Sequence, residues 1–87
     1  MLYEIGYFKK GKEICGDDFN NRQEIEEINT LLISSLSALK TFSLPFTGKD
    51  IGKYAVITMN NNDKYYIDEE QYKNIKMDMR LGILNFQ

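Results

Sequence analysis

The chain contains no histidine and one cysteine, Cys15. Structural zinc is held by Cys and His at fixed spacing, so one copy of this chain cannot build such a centre. A nucleophile activated by imidazole has no base here, and a reactive thiolate would need a basic pocket that the sequence does not suggest. A lone cysteine closes no internal disulfide, which points to a reducing compartment. Cys15 itself reads as a small hydrophobe at the end of a strand. Arginine is scarce: Arg22 and Arg80 are the two forked donors available to phosphate. The net charge of −2 argues against bulk nucleic-acid binding, which needs many cations to displace counterions. No apolar run suits a bilayer, since "LLISSLSALKTF" is too short and too rich in serine. The opening "MLYEIGYFKKGK" is the reverse of a leader, with Glu4 inside the apolar run and lysines after it. Cytoplasmic residence with no membrane contact is the expectation.

What is present fits a soluble globular protein, with 43% hydrophobic and 28% charged residues and no low-complexity stretch. Its length of 87 residues predicts one domain over residues 1–87. A chain of this size buries only roughly 60–65% of its unfolded surface, so a partner or a second copy could add stability. Lys, Asn, Ile, Tyr and Phe are abundant and Ala is scarce, as AT-rich codons produce. That composition suggests an AT-rich bacterium, a phage or a mobile element.

Leu2 to Phe8 alternates as a strand, with Tyr3, Ile5 and Tyr7 on one face. Gly11 in "KKGK" can turn the chain, and Glu13 to Cys15 would return as the second arm of a hairpin. The segment "NNRQEIEEINTLLISSLSALK" sets Ile25, Ile28, Leu32, Leu36 and Leu39 three or four residues apart, which predicts a long amphipathic helix. Asn21 and Glu24 supply a capping box for it. Its broad apolar surface suggests self-association. Thr41 to Leu44 reads as a short edge strand, supported by the alternation of Phe42, Leu44 and Phe46. Tyr54 to Met59, an Asn60–Asp63 turn and Lys64 to Ile67 read as a hairpin, because Asn and Asp tolerate left-handed geometry. Asp68 then caps a short helix with Tyr72, Ile75 and Met79 on its apolar face. Leu81 to Phe86 reads as a last strand, with a helix continuing through Leu81 as the competing reading. The expected fold is α+β, a mostly antiparallel sheet of four or five strands in ββαββα(β) order, packed on one long and one short helix.

The chemistry-bearing patterns fail on inspection. Counted from Asn60, "NNNDKYYIDEEQ" puts Tyr65 where a calcium loop needs Gly and Gln71 where it needs Glu. In "GKDIGK" three residues separate the glycines and Tyr54 follows Lys53, so the phosphate-loop spacing and its hydroxyl are both missing. Glu4, Asp17, Asp18, Asp50, Asp63 and Asp68 are the carboxylates a His-free acid–base enzyme could use, and Asp17 and Asp18 sit in a turn that favours Asp anyway. No catalytic residue, cofactor or metal is expected, and a carboxylate enzyme is the least favoured reading.

The remaining feature is aromatic excess, six Tyr and five Phe. A small core does not readily absorb all of them, and surface tyrosine anchors interfaces. Tyr54, Tyr65, Tyr66 and Tyr72 beside Asp63, Asp68, Glu69 and Glu70 form the candidate partner-binding set, an acidic rim suited to a basic protein surface. The expected function is non-enzymatic protein binding, as an inhibitor or modulator of a host protein carried by a phage or mobile element. A nucleic-acid-processing enzyme is one such target, with carboxylates mimicking phosphate. The alternative is a single-strand-binding regulator that uses Lys9, Lys10 and Lys12 beside Tyr7, since basic and aromatic groups on a sheet track and stack bases.

Overall fold

The computed structural model describes residues 2–20 and 24–85, with side chains through Met79. The strands are β1 (Leu2–Tyr7), β2 (Lys9–Lys10), β3 (Glu24–Asn29), β4 (Ile33–Leu36), β5 (Lys40–Ser43), β6 (Asp50–Met59) and β7 (Lys64–Ile67). One α-helix, α1 (Glu69–Asn85), follows them. The expected pair of helices is therefore corrected to one, and the described chain is mostly strand. Every ladder among the described residues is antiparallel.

The long helix over residues 21–40 does not form; Asn21 and Arg22 lie outside the described residues. Its place is taken by β3, a 3₁₀ turn at Thr30–Leu32, and β4. The cause is local. The Asn29 side chain accepts from the Leu31 N–H at 3.0 Å and starts the 3₁₀ turn. Ser37 Oγ accepts from the Val56 N–H at 2.9 Å and donates to the Ala38 carbonyl at 3.0 Å. Asn and Ser offer such local bonds in competition with a helix ladder. β4 and β5 instead run in turn along β6, from Ile33 opposite Met59 to Ser43 opposite Asp50, with register shifts at Ile33/Ser35 and Phe42/Ser43. The apolar stripe disperses: Ile28 is buried, while Ile25 and Leu32 are exposed.

The N-terminal hairpin is also replaced. β1 pairs with β3, and the chain then crosses to β7, where Lys9 lies opposite Tyr66 and Lys10 opposite Tyr65. The amides of Phe8 and Gly11 extend that ladder to the carbonyls of Tyr66 and Lys64. Gly11 takes φ 142°, a conformation open to glycine. Glu13 to Cys15 joins no ladder; Asp18 instead caps the Cys15 N–H at 2.8 Å as the chain enters a 3₁₀ turn at Gly16–Phe19. The expected last strand is corrected as well. Residues 81–85 continue α1, and Phe86 lies outside the described residues.

The hairpin of β6 and β7 forms with the expected turn, but β6 begins at Asp50, four residues before the expected Tyr54. Met59 and Asp63 close it, and Asn62 adopts φ 73°. Asp68 Oδ1 accepts from the Gln71 N–H at 2.8 Å and caps α1. The hairpin is covered on both faces. On one, Ala55, Ile57, Met59, Tyr65 and Ile67 meet Ile5, Tyr7, Ile28 and Ile75 in the main core. Ile5, Ile57, Ile67 and Ile75 are fully enclosed, each contributing about 1.5–3 kcal/mol by burial. On the other, Phe19 stands between Phe8 (ring centroids 4.9 Å) and Phe42 (5.3 Å), with Tyr54 and Tyr66 continuing the cluster. Two covered faces explain how the sheet takes up its tyrosines.

Candidate functional site

Tyr65 and Tyr66 were the expected surface anchors, and they are 3% and 7% exposed. They point to opposite faces of β7, one into each core. Burial, then a hydrogen bond to Glu26, holds the Tyr65 phenol above its ordinary pKa, while Lys10 pulls it back. Burial raises Tyr66 too, and its hydroxyl donates to the Lys12 carbonyl. Tyr54 is half-buried in the aromatic cluster, 5.9 Å from Tyr66 between centroids. Tyr72 is half-buried against the main core, with the Lys76 ammonium 5.5 Å from its ring. Asp68 caps α1, Glu69 lies 3.9 Å from Lys53, and Glu70 is exposed in the first helical turn. These residues therefore do not make one patch.

Of the basic set, Lys10 and Lys12 line one open cavity of about 520 Å³ together with Asp63 and Lys64, while Tyr7 and Lys9 do not border it. The Tyr7 ring is buried against Tyr65, edge to face at 5.0 Å. Burial, reinforced by its hydrogen bond to Glu24, pushes the Tyr7 pKa up to about 12. Lys9 lies 3.8 Å from Asp18. Lys10 lies 3.4 Å from Asp63 and sits over the Tyr65 ring at 5.2 Å. Its own pKa is raised by Tyr65 and then by Asp63. Lys12 is exposed. Lys10 and Asp63, candidates for rival functions, are partners of one another.

The acids are also placed structurally. Cys15 N–H, then Lys9, holds Asp18 below the usual carboxylate range. Asp50 accepts from Ser43 Oγ at 2.6 Å. Among the described residues no helix is long and apolar enough to cross a membrane.

The surface that emerges instead belongs to the β1–β3 ribbon. Its outer face pairs Leu2 with Asn29, Glu4 with Glu27 and Gly6 with Ile25. Leu2 and Ile25 are 65% and 67% exposed, and both glutamates are exposed between them. Neither strand carries a Lys or Arg, while Glu4, Glu24, Glu26 and Glu27 all lie on it. The ion pairs found among the described residues involve none of these four. The sequence does alternate over Leu2–Phe8, but the helical spacing of Ile25 and Ile28 hid the partner strand. Register alone brings Glu4 to Glu27.

A groove of about 300 Å³ adjoins this ribbon. Glu26, Glu27 and Ile28 of β3 line it, facing Asn60, Asn61 and Asp63 of the β6–β7 turn. No family model, curated protein or solved structure matches this chain.

Proposed function

We propose that this chain is a non-enzymatic protein-binding module that docks its partner on the outer face of the β1–β3 ribbon. The observation that carries the reading is Glu4 opposite Glu27, between exposed Leu2 and Ile25. Like charges directly across a ladder oppose folding, and no cation on the ribbon offsets them. A basic partner surface would neutralise both carboxylates, while the two aliphatic side chains supply desolvated contact. The burial of Tyr7 and the pairing of Lys9 and Lys10 with carboxylates weigh against a single-strand-binding platform. The amino-acid composition, rich in Lys, Asn, Ile, Tyr and Phe, is of the kind AT-rich codons produce and suits a phage or mobile-element setting, in which such a module would modulate a host protein. A nucleic-acid-processing enzyme suits that role, because its basic groove accepts carboxylates where phosphates bind.

The test is affinity capture from the cognate cell lysate, with and without nuclease, comparing the wild-type chain with the Glu4→Lys/Glu27→Lys variant. A discrete protein held by the wild type and released by the variant supports the reading. Capture that vanishes with nuclease, or that the variant leaves intact, overturns it.

A further inference from the structure

The outer face of the β1–β3 ribbon has a repeat. Residues on one face of a strand are two apart, about 6.6–6.8 Å along its axis. Leu2 stands at the first level, Glu4 and Glu27 at the second, and Ile25, opposite Gly6, at the third. The order along the ribbon is therefore aliphatic, acidic, aliphatic, and all four of these side chains are exposed. The other two glutamates of the ribbon belong to its inner face. Glu24 accepts from the Tyr7 hydroxyl at 3.1 Å, and Glu26 accepts from the Tyr65 hydroxyl.

That order specifies the shape of an occupant. The N–H and C=O groups of a sheet lie in its plane, so its face offers side chains and no backbone partners. An extended segment laid on the face would bury its own amides and carbonyls unpaired. A helix satisfies its backbone internally and needs nothing from the face but side-chain contact. Four residues of helix rise about 6 Å and return to the same side, so one such step matches one level of the ribbon. An apolar residue, a basic residue four on and an apolar residue four beyond would meet Leu2, the two glutamates and Ile25 in turn. The pattern is the same in both directions, so either helix polarity fits. Arginine suits the centre better than lysine, because its planar fork bonds two carboxylates at once. A second copy of this chain offers one described helix, α1, and there the step of four from Met77 back through Lys73 ends on Glu69, an acid where the ribbon asks for an apolar group.

We infer that the outer face of the β1–β3 ribbon takes one amphipathic helix of a partner protein, with apolar, basic and apolar residues at steps of four and arginine at the centre. This inference rests on the protein-binding reading above and adds the form of the partner's contact and its central side chain. Leu2 and Ile25 supply the desolvated contact. Glu4 and Glu27 select the cation and fix the register of the helix along the ribbon.

The experiment titrates the full chain with three synthetic peptides. The first is an alanine-rich helix with leucine, arginine and leucine at steps of four, stapled clear of that stripe because short free helices are marginal in water. The second is the same stapled helix with the arginine moved two positions along, which carries it to the far side. The third sets leucine, arginine and leucine at steps of two in an unstapled, strand-forming sequence. Methyl and amide shifts read both position and affinity. The aligned helix is expected to shift the Leu2 and Ile25 methyls and the Glu4 and Glu27 amides. It should bind roughly tenfold or more tighter than either other peptide, the size expected of one charge-assisted contact. Glu4→Gln/Glu27→Gln should lower that affinity severalfold and flatten its salt dependence, while the free chain melts no earlier than the wild type. No shift at Leu2 and Ile25, equal affinity for the displaced arginine, or equal or tighter binding of the extended peptide would overturn the inference. So would concentration-dependent dimers whose formation shifts the same two methyls, since a second copy would then be the occupant. If the aligned helix fails while the lysate capture still depends on Glu4 and Glu27, the helix inference alone falls. If the lysate capture also fails, the protein-binding reading falls with it.

Discussion

Phe19 closes against Gly52 so tightly that a Cβ on Gly52 would stand 2.9 Å from the ring. Phe8 and Phe42 flank the ring at 4.9 and 5.3 Å between centroids, so moving it aside would disturb both contacts. Gly52 lies within β6, opposite Phe42. The 3₁₀ turn at Gly16–Phe19 is thereby pinned to the sheet by one aromatic plug. Gly52→Ala should destabilise the protein by about 1–3 kcal/mol, the usual cost of overpacking. Phe19→Leu in the same background should recover part of the loss. Thermal melts of the two variants check this, and an unchanged midpoint for Gly52→Ala would mean the plug gives way.

Residues 24–36 show where the sequence misleads. Ile25, Ile28, Leu32, Leu36 and Leu39 follow a helical period, yet Leu32 is 50% exposed and Ile28 is buried in the core. Periodicity reports faces only once the element type is known, and a few isoleucines and leucines satisfy two periods at once. The discriminating information lay in Asn29 and Ser37, whose side chains take over backbone partners, and in the demand of β6 for a companion along its length. That demand is tertiary and no local pattern expresses it. By contrast, the β6–β7 hairpin and the Asp68 cap were legible because each is specified within a few residues. Of the candidate surface, the alternation of Leu2 to Tyr7 was legible and the register that brings Glu4 to Glu27 was not.

A pair of charge substitutions separates the two readings of this segment. In a helix packed through its apolar stripe, Leu32→Asp would unfold the chain. In the observed fold it should cost no more than about 1 kcal/mol, as befits a half-exposed side chain. Ile28→Asp should abolish cooperative melting, because it buries a charge without a partner. Urea melts of both variants decide the matter, and unfolding by Leu32→Asp would restore the helix.

Tyr7 gives the fold an alkaline limit. Its phenol titrates near 10 in an unfolded chain and at about 12 in the folded one. The folded state therefore holds a proton that the unfolded state has released across pH 10–12. The stabilisation linked to Tyr7 is complete below pH 10 and is lost as pH rises toward 12. Tyr65, Tyr66 and Tyr3 shift in the same direction and steepen the fall. Tyr7→Phe should melt at a lower urea concentration at pH 8, through loss of the hydrogen bond to Glu24, and should decline less steeply above pH 10. Parallel slopes for Tyr7→Phe and wild type would remove Tyr7 as a source of the pH dependence.

The Glu4–Glu27 pair ties stability to binding with opposite signs. Glu4→Lys replaces a repulsive cross-strand pair with an attractive one and should stabilise the isolated chain by about 0.2–1 kcal/mol. In a domain of this size that raises the melting midpoint by a few degrees, at roughly 4–8 °C per kcal/mol. Both charges are exposed, so the gain should shrink as salt screens them. The same substitution removes a carboxylate from the face assigned to the partner and should weaken capture. A variant more stable at low salt yet poorer at binding is the signature of a surface shaped for something other than folding. Loss of stability in Glu4→Lys, or a gain indifferent to salt, would show that the two carboxylates do not face each other across the ribbon.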